Sequence, residues 1–432
     1  MSELQKAMVS YDNTSQGQNY LAPEFVNPMI FEKLQEEFPL MRLTPKEQAR
    51  APQHQYRVRS VMPDAWVQGE LAEADFSSAT YINKTVDLKI VRTWNGVSGF
   101  MQKLSQNFVN ALEESIETSI VGFANTLEWL TLYGNTADTY QYAGLMQAMT
   151  SDATAKANNI IDLASAPVTL THLDNAIDAA TKYTRSSEDQ WAFMMSRPMI
   201  SRISGLQTRV TRDVPVMEYE GGFVMNTYRG IPLLPSNLLT AKTSTTSPTA
   251  SAAAAAGGSL ADDEWFYVIS SVTAEGEQLP GVEDSATTAT TNNSVTLTWT
   301  ADANAKNYVI YRGTATGVHE YLTTIPAKAY TSGKVSGTIA TWTDDGSLTT
   351  VPTVKPMTSG DEQIVLANIS RSSRGNRFLG SVSPLGDPID EFVSYVPLAT
   401  VNSAYRFMIE SFLAYKVPYP VTNYVIRNGD LS

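Results

Sequence analysis

The longest regular pattern in the chain runs over residues 98–133, where Met101, Leu104, Phe108, Leu112, Ile116, Ile120, Ala124, Leu127 and Leu130 recur at steps of three and four. That spacing lays one apolar stripe along one face of a helix. Ser98 stands before it as an N-cap and Gly134 after it as a stop. A helix of that length spans roughly 50 Å and needs an equally long surface to lie on. Upstream, residues 1–20 are polar, show no sustained apolar period and read as an extended arm. From Leu21 the chain turns amphipathic, with Ile30, Phe31 and Leu34 at helical spacing up to Phe38-Pro39. Residues 55–61 and 85–91 read as strands; in the second, Val86, Leu88 and Ile90 alternate with Asp87 and Lys89. They frame a long hairpin whose tip, residues 63–79, carries Glu70, Glu73, Asp75 and one very large apolar residue, Trp66. A tip that cannot bury itself is expected to lie on a neighbour.

After the long helix the period alternates between helix and strand. A helix starts at Thr171, a strand spans 191–195, and a helix capped by Ser196 follows. Strands at 222–228 and 231–234 are joined through Gly230. At Thr240 the composition breaks: residues 241–259 are almost all Ala, Ser, Thr and Gly with a run of five alanines, which predicts a linker. Residues 265–354 then read as all β and Thr-rich, with Val295, Leu297 and Trp299 alternating. A second linker over 350–360 leads to strands at 363–369 and 391–396, an apolar stretch at 404–417 and a closing strand at 424–426. The β-rich module thus interrupts a larger pattern. Its deletion, with a short linker kept, is expected to leave the remainder able to assemble.

Composition narrows the function. The 432 residues are 43% hydrophobic and 17% charged, which suits two to four packed domains. The net charge is −13, so the positive footprint that grips phosphates along a duplex is missing. Residues 258–352 hold 11 acidic and 4 basic residues, a net of −7 and over half of the total. No apolar run is long enough to span a membrane and residues 1–12 lack the apolar core of a signal peptide, so the chain is expected to stay in the cytoplasm where it is made. With no cysteine, disulfides, thiol nucleophiles and thiolate metal sites are excluded. The three histidines, His54, His172 and His319, lack metal-ligand spacing and read as surface or structural. Gly96-Val97-Ser98-Gly99 lacks a spacer residue of a nucleophile elbow, and no phosphate-cradling loop or dinucleotide fingerprint occurs. Glu113 and Glu114 are adjacent on a helix, point in different directions and read as a solvated face. No catalytic, cofactor or metal site is expected.

The order of arm, short helix, hairpin, very long helix, α/β lobe and returning strands resembles the major capsid protein family of tailed bacteriophages, whose α+β fold is shared with herpesviruses and encapsulins. The local wording is similar too: Leu21-Ala22-Pro23-Glu24 through Pro39-Leu40-Met41-Arg42-Leu43, Ala65-Trp66-Val67 with Glu70, Val97-Ser98 opening the long helix, Gly144-Leu145-Met146, Phe193-Met194-Met195-Ser196, and Tyr228-Arg229-Gly230-Ile231-Pro232-Leu233 before Ser236. The resemblance implies an N-terminal arm at 1–20, a short helix and lead into the P domain at 21–54, an E-loop hairpin at 55–97, a spine helix and P domain at 98–150 and an A domain at 151–240. An inserted β-sandwich with linkers fills 241–360, and 361–432 return to the P domain. Within the insert, 294–299 and 305–312 resemble central strands of an immunoglobulin-like or fibronectin type III sandwich in permuted order, with Trp299, Tyr308 and Tyr311 as its core.

The same resemblance implies hexamers and pentamers of an icosahedral shell around double-stranded phage DNA, held without sequence-specific binding. Subunit contacts would fall on Trp66, Val67, Glu70 and Phe76 of the E-loop, laid over a neighbour's spine helix and P domain, and on Tyr11 and Tyr20 of the arm. A portal would be a partner. Some members cross-link through a Lys–Asn isopeptide bond; Lys84 lies near the loop but reads as a solvated strand lysine. Only 20 residues precede the matched motif, so a separate scaffold protein, or none, is expected. The insert would face outward, either strengthening the shell or making weak host-surface contacts. Alternatives are an encapsulin-type shell, a tail-tube or portal protein, and an enzyme carrying a fibronectin-like module.

Overall fold

In the computed structural model of the chain, the described residues are 38–49, 51–61, 63, 67, 77–105, 110–183, 189–211, 216–219, 223–240, 242, 248–331, 334–381, 393–401 and 403–431. The arm and most of the short amphipathic helix lie outside them.

The long helix is shorter than its sequence pattern. Two helices, Gly99–Ser105 and Ala111–Tyr133, replace the continuous one, and Asn110 between them is extended at φ −77°, ψ 96°. Gln102 reaches across the break: its Oε1 accepts from Leu112 N at 3.0 Å and its Nε2 donates to Asn110 Oδ1 at 2.9 Å. That satisfies one of the four N–H groups a helix start leaves without a partner. Ser98 caps the first helix instead of the long one, its Oγ accepting from Met101 N at 3.2 Å. The 23-residue second helix spans about 35 Å. Its face of Ile116, Ile120, Phe123, Ala124 and Leu127 is buried in the main core, whereas Met101 and Leu104 on the first helix are exposed. Glu113 is buried and Glu114 exposed, so the expected solvated pair is divided. Gly134 follows the helix as its C-cap, and a Cβ there would collide with the carbonyls of Leu130 and Tyr142.

A seven-stranded sheet runs in the order Ile160–Pro167, Tyr424–Asp430, Glu362–Asn368, Trp191–Met195, Ile231–Pro235, Phe223–Tyr228, Val216–Tyr219. Alternation sorts its side chains. Phe193, Met195, Leu233, Ile364, Leu366 and Ile426 share a cluster with helix residues Leu173, Ala176, Met199 and Ile203, while Ala192, Met194, Leu234, Val365 and Val425 join the main core. Arg229 at φ 49° and Gly230 at φ 80° make the tight turn at its far side. Two central strands come from the last segment of the chain, which the sequence had returned to the P domain alone; that segment instead divides between both lobes.

The second large sheet is built on Ala404–Lys416, paired with Lys89–Ser98, Val393–Val401 and Arg377–Ser381, to which Lys46–Ala49 adds in parallel. Its inner side chains, among them Val91, Ile409 and Leu413, pack in the main core with the long helix. The strand expected at 85–91 divides at Leu88: residues up to Asp87 belong to the hairpin Gln53–Val61/Thr80–Asp87, and Lys89 opens the sheet strand.

The β-rich module holds two packed sheets, one of Ser251–Ala255, Ser294–Thr298 and Thr341–Asp344, the other centred on Glu264–Thr273 and Asn307–Ala315. The alanine run is not a linker: Ala252 pairs with Leu297 and Ala254 with Val295. Side chains this small forfeit packing, but the strand keeps its backbone pairing. Trp299 and Tyr308 lie in the module's own cluster with ring centroids 5.3 Å apart, edge to face.

Tyr311 does not belong to that core. Three positions from Tyr308 on one strand, it emerges on the opposite face and is buried in the main core with Val268, Val272 and Val309. The module is therefore not held by its linkers alone, because one of its two sheets is shared with the body.

Candidate assembly surface

The hairpin stem is fastened to the body at two places along its length. Arg59 N donates to Tyr419 Oη at 3.0 Å, and Tyr419 Oη donates back to Arg59 O at 3.2 Å. Lys416 sits 4.7 Å from the centre of the Tyr56 ring and gives Glu47 a 2.6 Å ion pair, with Arg377 and His54 on the same carboxylate at 3.5 and 3.4 Å. Burial pushes the Tyr56 hydroxyl up to about 12. The same stem carries exposed Val61, Tyr81 and Ile82. Lys84 lies on the stem opposite Tyr56. Val67 at the tip is wholly exposed at 105%; Trp66, Glu70, Phe76, Tyr11 and Tyr20 lie outside the described residues.

The solvent face of the sheet next to this stem is apolar where a lone subunit gains nothing from it. Ile90 pairs with Phe412, Arg92 with Glu410 and Trp94 with Met408. Ile90, Trp94 and Phe412 are 53%, 68% and 37% exposed, and Phe100, Met101 and Leu104 on the short helix at the end of the same strand are 74%, 51% and 62% exposed. Such a concentration of large exposed apolar side chains marks an interaction surface. The Arg92–Glu410 pair, at 2.9 Å, sets charge within it, and Arg406 and Lys103 lie exposed beside it. Sequence reasoning missed Trp94 and Phe100. The signal was there, since Ile90, Arg92 and Trp94 continue the period of two past residue 91.

The other unusual cluster lies where the module meets the body. Arg427, on a central strand of the seven-stranded sheet, holds Glu277 of the module at 2.8 Å, with exposures of 4% and 3%. The Tyr311 hydroxyl donates to Glu277 and lies 3.2 Å from Arg427 Nη2. Burial, then the carboxylate beside it, push that hydroxyl well up; burial opposes the Arg427 charge, but Glu277 holds the guanidinium above its ordinary value. Around this centre Asn307 bonds Gln141 at 3.0 Å, and Lys306 sits 4.4 Å over the ring of Trp129 on the long helix. The chemistry is that of a docking joint.

The histidines serve locally. His54 meets Glu47, His172 Nδ1 accepts from Thr169 N at 3.2 Å at a helix start, and His319 lies 2.8 Å from Glu283. Among the described residues no three of His, Asp and Glu gather to hold a metal ion, and no helix is long and apolar enough to cross a membrane.

Comparison with known proteins gives a family match. The model of the SU10 major capsid protein family matches residues 9–264, more than half of the chain. No curated protein matches. Among solved structures, the SrpI encapsulin of Synechococcus elongatus PCC 7942 is similar at 14% identity and a TM-score of 0.46, covering 91% of this chain and 88% of that one. A chain of Mycobacterium phage Ogopogo is similar at 11% identity and 0.41, covering 90% and 91%. The capsid of a native GTA particle is similar at 8% and 0.41, covering 90% and 89%. On the family match, and with the α+β architecture described above, the chain belongs to the SU10 major capsid protein family and is a structural subunit of a capsid shell.

Proposed function

We propose that the chain forms hexamers and pentamers of an icosahedral virion shell around double-stranded DNA, and that its principal subunit contact is the apolar strip of Ile90, Trp94, Phe100, Leu104 and Phe412. The observation that carries this reading is the strip itself: large side chains, mostly more than half exposed, on a subunit whose family builds shells. The E-loop tip of a neighbouring copy, with Trp66, Val67, Glu70 and Phe76, is its natural occupant, and the arm with Tyr11 and Tyr20 threads along the same neighbour. Rigid aromatic anchors give such a contact its energy. The net charge of −13 suits a container that holds DNA without reading it.

Assembly takes place in the host cytoplasm, with a portal as a partner of the shell. The module, an immunoglobulin-like sandwich, points its three-stranded sheet outward, where Thr296 and Thr343 pair their hydroxyls at 3.1 Å on an uncharged face. That face suits shell reinforcement or weak host contacts.

A Trp94→Asp/Phe100→Asp variant tests the strip. Both side chains are exposed, so the melting temperature of the subunit is expected to move by no more than about 2 °C. Particle yield by sedimentation is expected to fall at least tenfold, because a truncated anchor costs about 2 kcal/mol or more at each of many interfaces. Normal yield from the variant would show that the strip is not a contact.

A further inference from the structure

Two buried acids are left over from the fold and the assembly surface. Glu128 projects from the long helix at 7% exposure and Glu362 opens a central strand of the seven-stranded sheet at 1%. Between them runs the segment 236–240, which carries the chain from that sheet into the module. Each acid grips it through hydroxyls. Glu128 meets the Ser236 hydroxyl. Glu362 meets Ser196, and its Oε1 accepts from Thr240 Oγ1 at 3.2 Å. The segment is pinned further by Tyr133 Oη donating to Leu238 O at 3.0 Å and Gln363 N donating to Leu239 O at 2.8 Å. Glu128 Oε1 and Glu362 Oε2 are buried without a hydrogen-bond partner.

Neither acid forms an ion pair among the described residues, and the surrounding charges are engaged elsewhere. Past Tyr133, Arg427 is held by Glu277. Lys306 of the module lies over Trp129. On the strands packed against the helix's other side, Lys89 donates to Thr139 O, Arg92 pairs with Glu410 and Lys416 with Glu47. The helix Leu145–Ser151, also packed on the long helix, has no charged residue.

We propose that Glu128 and Glu362 form a proton-held latch on segment 236–240, and that losing the protons loosens the joint between long helix, seven-stranded sheet and module. A protonated carboxyl shares hydrogen bonds with Ser236, Ser196 and Thr240 at no charge cost; an ionised one without a cation is expensive to keep buried. The strain is relieved by lifting the segment, which lets water reach the acids. Burial raises the Glu128 carboxyl from 4.5 to about 7, and Glu362 is raised by the same cause. Below about pH 4.5 Glu128 is protonated whether the latch is closed or open. As pH rises towards 7 only the closed form keeps the proton, so latch stability falls through this window and levels off above it.

The test is hydrogen exchange of segment 231–242 in the full-length chain from pH 5 to 8, corrected for the intrinsic base-catalysed rate. The opening equilibrium is expected to rise roughly fiftyfold across that range. Glu128→Gln removes most of the rise and Glu128→Gln/Glu362→Gln flattens it, since the amide stands in for the protonated acid. An unchanged pH slope in the double variant would overturn the latch. So would its failure to fold, because a neutral isostere must be tolerated where a neutral acid is.

Discussion

Replacing Arg427 with methionine is expected to cost about 3–5 kcal/mol of stability, measured by denaturant unfolding of the full chain, with loss of soluble protein at growth temperature. The size follows from what is left behind. Glu277 stays buried at 3% exposure with the Tyr311 hydroxyl against it, but the guanidinium that paired with it is gone. Stranding one partner of a buried ion pair costs this much, whereas replacing both by apolar groups of similar volume is close to neutral. Arg427→Met/Glu277→Leu is therefore expected to recover most of the loss. A single variant within about 1 kcal/mol of the parent would mean that water reaches the pair and that the joint is looser than its burial implies.

Removing the module, residues 258–352, is expected to have the larger effect and to abolish a soluble fold. Val268, Val272, Val309 and Tyr311 all leave the main core, and Trp129 and Tyr133 on the long helix lose their cover. At about 1.5–3 kcal/mol for each large apolar side chain buried, these losses together approach the whole stability of an ordinary domain. Arg427 is stranded as well. Expression of the deletion with a short linker, read by soluble fraction and size-exclusion chromatography, separates the two views of the module. Aggregation is expected; wild-type particles would show that the module is only an appendage.

This is where the sequence reading and the structure part most sharply, and the reason is specific. Composition marks a break near residue 240, and the residues beyond it form strands. But a Thr-rich, alanine-flanked segment gives no sign of what its second face touches. That sign lay in finer spacing: Tyr308 and Tyr311, three apart on one strand, cannot share a face, and Val268, Val272 and Val309 alternate with Tyr267, Ile269 and Ile310. The alanine run misled because low side-chain bulk is also linker chemistry, and only the cross-strand partners Val295 and Leu297 turn it into a strand. The long helix was over-read for a related cause: an apolar stripe continues across Asn110 whether or not the backbone does, and half of its first part serves a surface instead of a core. The order of elements was legible because hairpin, helix and α/β lobe each carry their own period. The assembly strip was legible only in part, since exposure of Trp94 and Phe100 is a tertiary property. The participation of Glu362–Asn368 and Tyr424–Asp430 in the seven-stranded sheet is a long-range pairing that no local pattern encodes.

Electron microscopy of the purified full-length protein after size-exclusion chromatography tests the central claim most directly, with the Trp94→Asp/Phe100→Asp variant beside it. Closed shells, or hexamers and pentamers, from the parent chain and only folded monomers from the variant are the expected result. An open tube or a small ring from the parent, or shells that form equally well without the apolar strip, would contradict it.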